Sequence, residues 1–242
     1  MIGPILLIVS WLLLRLEGKR LDALGFNEPK RRSLEFGLSF LLAGVVAAAQ
    51  QLGLSAATAV PWKLNPSADA ALILHSIRWN LNSVLFEEFI FRGYLLYQAI
   101  RWLGIKRGVL LGASAFGIYH WFSYGVFGNP AMMLFIFLFT GAFGLMLALA
   151  FAKTQSLAAP IGLHLGWNFV SYLGFSTGPL GAALLVPADG APKMNATGLS
   201  SFLLNLALPV LFTAGMSWYL TRTRLNQTAL AESSHLKTSI EK

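Results

Sequence analysis

Residues 131–152 read AMMLFIFLFTGAFGLMLALAFA, twenty-two positions without one charged side chain. At about 1.5 Å of helical rise per residue, such a run crosses the ~30 Å hydrocarbon core of a bilayer. Five further segments have the same character, at roughly 34–58, 71–100, 108–124, 156–177 and 199–221. A seventh, Ile2 to Leu14, is short and ends at Arg15. It has no basic region ahead of it and no Ala-x-Ala cleavage site, so it reads as a short or tilted span rather than a signal peptide. The runs are too long and too unalternating for barrel strands, and lipid leaves helices as the remaining way to satisfy the backbone. The expected fold is therefore all-α, a polytopic membrane helix bundle of about seven transmembrane helices, or eight if the true start lies upstream. Three regions are expected: N-terminal spans and a basic loop over 1–70, a membrane core over 71–221, and a flexible polar tail over 222–242.

Composition agrees. The 242 residues are 56% hydrophobic and 12% charged, against about 25% charged in ordinary soluble domains. Such a chain cannot cover a soluble surface with polar groups, and disorder needs the opposite composition. No cysteine is present, which excludes disulfides, thiolate metal sites and a cysteine nucleophile.

The net charge of +8 raises nucleic acid as a partner, but the charges sit where a membrane explains them. Fourteen basic residues fall in the loop 15–35, at Arg101, Lys106, Arg107 and Lys153, and in the tail; only Lys63 and Lys193 fall in the alternate loops. Basic residues gather on the cytoplasmic side. Seven spans with the N-terminus outside and the C-terminus cytoplasmic satisfy every loop, in the plasma (inner) membrane, with no nucleic-acid role. Trp62, Trp102 and Trp218 fall at span ends, where indole rings favour the headgroup region.

Ionisable groups within spans are costly and point to function. The third span holds His75, Arg78, Glu87, Glu88 and Arg92, the fourth His120, and the sixth His164 with Asn168 four residues on. Measured along helices from Arg101, Arg107 and Lys153, Glu87, His120 and His164 lie ~21, ~20 and ~16 Å from the same edge. Three helices thus bring a carboxylate and two imidazoles to similar depth. Glu88 and Arg92 form an i, i+4 pair in the favourable acid-first order, on a polar stripe with Arg78, Asn82 and His75. Glu87 shares its own stripe with Asn80 and Tyr94. Glu88 has a partner in its helix and Glu87 does not, so Glu87 is the carboxylate left for chemistry. His75 and Arg78 lie near the outer interface, where snorkelling explains them. Asn168 faces the same side of its helix as His164.

Phe86-Glu87-Glu88-Phe89-Ile90-Phe91-Arg92-Gly93 reads E-E-x-x-x-R, Phe116-Gly117-Ile118-Tyr119-His120 reads F-x-x-x-H, and His164-Leu165-Gly166-Trp167-Asn168 reads H-x-x-x-N. In this order on successive membrane helices, these motifs resemble the CPBP family (CAAX proteases and bacteriocin-processing enzymes, also called Abi proteins), which includes the type II CAAX prenyl endopeptidases. The resemblance spans about residues 71–175. It implies an intramembrane endopeptidase acting on membrane-embedded or membrane-associated peptides or proteins. Glu87 and His120 would activate a water, and His164 and Asn168 would hydrogen-bond the oxyanion. Glu88 and Arg92 would support the site. The family is described both as metalloproteases and as metal-free glutamate proteases; the fit of His164 and Asn168 to an oxyanion role favours chemistry without a cofactor. Zn²⁺ held by Glu87, His120 and His164 is the alternative, though H-E-x-x-H is absent.

Two other readings stand beside this one. Gly112-Ala113-Ser114-Ala115 approximates the G-x-S-G of rhomboid-like serine proteases but lacks the second glycine. A non-proteolytic carrier or scaffold would also bury glutamate and histidine. Intramembrane aspartyl proteolysis is excluded, because Asp22, Asp69 and Asp189 lie in loops.

Overall fold

The computed structural model describes residues 2–192 and 194–222. The tail expected beyond Arg222 lies outside the described residues. The chain is a helical bundle: α1 (Gly3–Leu16), α2 (Pro29–Thr58), α3 (Ala70–Phe91), α4 (Tyr94–Ser123), α5 (Pro130–Thr154), α6 (Ala158–Asn168), the short α7 (Gly198–Ser201) and α8 (Leu208–Arg222). A π-helical stretch, Phe169–Gly174, prolongs α6, and a second, Phe202–Ala207, joins α7 to α8. By length and composition three helical runs are able to cross a membrane: Leu21–Thr58, Pro130–Thr154 and Gly198–Arg222. The apolar α1 is shorter. α3 and α4 carry charged residues, and α6 has 11 residues. Seven spans therefore go beyond what these helices establish.

Two features depart from the sequence reading. The segment 71–100 is not one helix. α3 ends at Phe91, with Arg92 and Gly93 in non-helical conformations before α4 begins. The bundle is also not purely helical. Trp62–Leu64 (β1) pairs antiparallel with Leu185–Pro187 (β2), Lys63 opposite Val186. Two connections that each looked like plain linkers find their hydrogen-bond partners in one another, a non-local pairing that neither segment signals by itself. Trp62 belongs to this ribbon: its indole N–H donates to the Gln51 carbonyl at 3.1 Å and its ring packs edge-on against Phe175. It is a packing residue, whereas Trp102 and Trp218 are 76% and 61% exposed, as interfacial anchors would be.

Within α4 the chain reverses at Gly104, whose φ of 78° and ψ of 165° break the helix. Glycine tolerates this region because it lacks a Cβ. Residues equidistant from Gly104 then meet. A methyl on Gly108 would sit 2.7 Å from the Ile100 nitrogen, one on Gly112 3.1 Å from a Leu96 methyl, and Arg92 lies 4.1 Å over the Phe116 ring. By the same register Glu88 falls level with His120.

Glycines also set how closely the helices pack. A methyl on Gly162 would lie 2.5 Å from the Phe36 carbonyl oxygen, and one on Gly166 2.2 Å from that of Phe40. This small-xxx-small face lets α6 lie against the backbone of α2. Gly117 and Gly144 do the same between α4 and α5, against Phe137 and Phe116.

The loops gather at two ends. At one, Arg32 donates to the Thr154 carbonyl at 3.1 Å, Leu157 N–H bonds Leu24 at 3.0 Å, and Glu17 accepts from Lys19, Tyr94, Gln98 and Arg101. Burial raises the Glu17 carboxyl, but bonds from Lys19 and Tyr94 and the nearby cations outweigh it and hold it below the usual carboxylate range. The stabilisation from this cluster is complete above the ordinary glutamate pKa and is lost as pH falls through the lowered value. At the other end lie the ribbon and the Asn65 side chain, which donates to Ala183 at 2.8 Å.

Gly166→Val would force α2 off α6 and is expected to lower stability by at least about 1–3 kcal/mol, the usual cost of overpacking. Gly37→Ala, with nothing within 4 Å of the added methyl, is expected to leave it unchanged. Thermal unfolding in detergent compares the two.

Candidate active site

α3, α4 and α6 bring the expected residues together, with α5 closing the wall. Glu87, His120, His164 and Asn168 all line one cavity of about 670 Å³. From α3 the cavity takes Trp79, Ser83 and Glu87, a four-residue spacing along one helix face. Asn80 and Tyr94, expected to share the Glu87 stripe, do not contribute. Asn80 is buried with its amide on the Ser76 carbonyl, and Tyr94, beyond the break at Arg92–Gly93, reaches Glu17 instead. Ser83 was legible from its i−4 spacing to Glu87. Tyr172, which enters from the π-helical stretch after Asn168, was not. Aromatic rings make up much of the wall: Trp79, Phe139, Phe143, Trp167, Tyr172 and Phe212.

His120 packs against Phe116, its ring centroid 4.4 Å away, and its Nδ1 lies 2.8 Å from the Phe116 carbonyl oxygen. That oxygen only accepts, so Nδ1 carries the proton and donates, and Nε2 in the neutral ring is an acceptor. The F-x-x-x-H motif thus describes a histidine held by the residue one turn earlier. His164 is 6% exposed, between Phe116 and Phe143, with Nδ1 2.7 Å from Glu88 Oε1 and Nε2 3.9 Å from Glu87 Oε2. The second distance is too long for a hydrogen bond. Among the described residues Glu87 Oε2 is buried with no hydrogen-bond partner. Asn168 is buried on the cavity wall.

Glu88 does more than pair within its helix. It is fully buried, and its Oε1 takes both Arg92 Nη1, at 3.1 Å, and His164 Nδ1. Arg92 also donates to the Gly144 carbonyl on α5 at 3.3 Å. The expected polar stripe is therefore divided. His75 and Arg78 are exposed, Asn82 accepts from the Ile2 N–H at 3.1 Å, and only Glu88 and Arg92 are buried together. Adjacent glutamates point about 100° apart on a helix, which is how Glu87 meets the cavity while Glu88 meets His164 from the side.

Ser114 is absent from the cavity wall. Among the described residues no three histidine, aspartate or glutamate side chains converge as a metal-holding group. Glu87, His120 and His164 share a cavity but do not form a ready Zn²⁺ cage.

The comparison with known families bears on this region. Residues 69–170 match the model of the family described as type II CAAX prenyl endopeptidase Rce1-like. That match supports the CPBP (CAAX protease) family. The matched stretch holds all three motifs, and it supports a CAAX-type endopeptidase in general terms. With the apolar helices it also supports an integral membrane protein. No curated protein and no solved structure matches the chain significantly.

Arg92→Ala would leave Glu88 as a buried carboxylate without its cation. Breaking a buried pair in this way costs about 3–5 kcal/mol, so the variant is expected to unfold far more readily than wild type. Glu87→Gln, which removes no hydrogen bond among the described residues, is expected to stay within about 1 kcal/mol of wild type, the central size of single-mutant effects. Detergent denaturation curves measure both.

Proposed function

We propose that the chain is an intramembrane endopeptidase of the CPBP type that hydrolyses peptide bonds of membrane-associated peptides or proteins. The observation that carries this reading is the convergence of Glu87, His120, His164 and Asn168 on one cavity walled largely by aromatic rings. Glu87 Oε2, buried without a hydrogen-bond partner among the described residues, takes a proton from a water that the His120 Nε2 lone pair orients. The resulting hydroxide adds to the scissile carbonyl carbon. Negative charge then develops on the carbonyl oxygen, where preorganised donors are worth most in a dry site. The Asn168 amide supplies one donor. The other is the Nε2–H of His164, and with Nδ1 donating to Glu88 this requires the doubly protonated ring. Collapse of the intermediate breaks the C–N bond, and Glu87 returns its proton to the leaving amine.

In this reading no metal takes part, and Glu88 and Arg92 position His164. The protein would sit in the plasma (inner) membrane with its N-terminus outside and its C-terminus in the cytoplasm. Glu87 is the one Lys, Arg, Asp or Glu side chain on the cavity wall among the described residues. Uncharged, apolar residues flanking the scissile bond suit such a wall.

Glu87→Gln and His120→Ala are each expected to lower peptide cleavage by about 10²–10⁴-fold, the usual contribution of a general base. Asn168→Ala is expected to cost about 10²–10³-fold, as for loss of an oxyanion donor. The assay is cleavage of apolar quenched peptides by the purified protein in detergent, with and without a chelator. No cleavage by the wild type would overturn the reading, and chelator sensitivity would overturn its metal-free form.

A further inference from the structure

We propose that the catalytic cavity opens on the membrane face opposite the basic loops, so that the substrates are segments presented from the extracytoplasmic side. This inference rests on the peptidase reading and on the proposed orientation, and it deepens both by naming where the substrate comes from.

Thr177, Gly178 and Pro179, from the connection between the π-helical stretch and β2, line the outer part of the cavity with Tyr124 at the end of α4. Thr177 and Tyr124 are exposed. The connection they belong to is tied to the ribbon end of the bundle, where Ser176 donates to the Leu185 carbonyl at 2.6 Å. From there the cavity runs inward to Glu87, near the last turn of α3.

Beyond the site, toward the basic end, the bundle is closed. Arg92 is 1% exposed and fills the space between the Phe116 ring and the Gly144 carbonyl. Behind it lies a buried apolar cluster that includes Leu14, Phe89, Leu96, Ile100, Val109 and Phe151. No residue of the loops 15–28, 101–107 or 153–157 reaches the cavity wall. Among the described residues the cavity is therefore bounded at the basic end, and the exposed wall residues Ser123, Tyr124, Thr177 and Pro179 lie toward the ribbon end.

The two ends differ in charge. The closed end carries Arg15, Lys19, Arg20, Arg101, Lys106, Arg107 and Lys153 and the basic start of α2. The connections at the open end carry, among the described residues, Lys63, Asp69 and Asp189. Basic loops stay in the cytoplasm, which puts the open end outside. A lipidated C-terminus on the cytoplasmic leaflet would face the closed end. A juxtamembrane segment of an exported or membrane-anchored protein would meet the open mouth.

The cysteine-free chain allows a direct test. Single-cysteine variants Thr177→Cys at the mouth and Lys106→Cys at the basic end are treated with a membrane-impermeant maleimide, in intact cells and after permeabilisation. Labelling of Thr177→Cys in intact cells, with Lys106→Cys labelled only after permeabilisation, supports the proposal. Labelling of Thr177→Cys only after permeabilisation, or of both variants in intact cells, overturns it. Should Thr177→Cys fail to fold, Asp189→Cys at the same end reads the same outcome. A second arm adds a quenched apolar peptide outside intact cells that express the wild type. Cleavage in detergent but not by intact cells overturns the sidedness and leaves the peptidase standing. Cleavage in neither overturns the peptidase reading, while the labelling still decides which way the cavity faces.

Discussion

The buried carboxylate of Glu88 is the junction on which the centre of the molecule depends. One oxygen takes the Arg92 guanidinium at 3.1 Å and the His164 imidazole at 2.7 Å, and Arg92 reaches on to the α5 backbone at Gly144. Three helices are fixed to one another through groups with almost no access to solvent. A buried pair of this kind yields little net stability against its desolvation cost. Its physical consequence is geometric. His164 has one ring nitrogen committed to Glu88, so its other nitrogen has a defined direction, toward Glu87 and the cavity. The Arg92 guanidinium also lies over Phe116, one turn before His120, so the same cation touches the helix that carries the other imidazole.

Backbone proximity makes this junction attainable. Side chains as short as glutamate and histidine meet across helices only when the axes are close, and glycines at the contacts provide that. Gly162 and Gly166 put α6 against the α2 carbonyls, and Gly117 and Gly144 do the same for α4 and α5. His164 lies between the first two glycines in sequence and on the other side of the helix, so packing against α2 turns the imidazole inward. The reversal at Gly104 supplies the level: residues equidistant from it face each other, which brings His120 to the height of the glutamates. The depth inferred by counting along straight helices arrives at the same place by a different path, since the counted helix is interrupted at Arg92–Gly93.

That interruption also marks where helical periodicity stops being informative. The stripe linking Glu87 to Tyr94 presupposes an unbroken helix. Once α3 ends at Phe91, Tyr94 belongs to a new element and binds Glu17 at the basic end. Likewise, Glu88 pairing with Arg92 is visible as an i, i+4 relation, but its bond to His164, 76 positions away, is not. The ribbon of β1 and β2 and the seating of Trp62 against Phe175 are invisible for the same reason, being contacts between segments far apart in the chain.

Composition and local spacing were enough to point to a helical membrane protein and to single out Glu87, His120, His164 and Asn168, which the fold brings to one cavity. These follow from hydrophobic length, from the cost of placing ionisable groups among apolar ones, and from the rise of a helix, all of which act within one segment. Which face of each helix meets which neighbour, that Glu88 holds His164, and that the cavity is closed at its basic end were settled by packing between helices. No count along a single helix contains them, because they depend on where glycines let backbones touch and on where one helix stops.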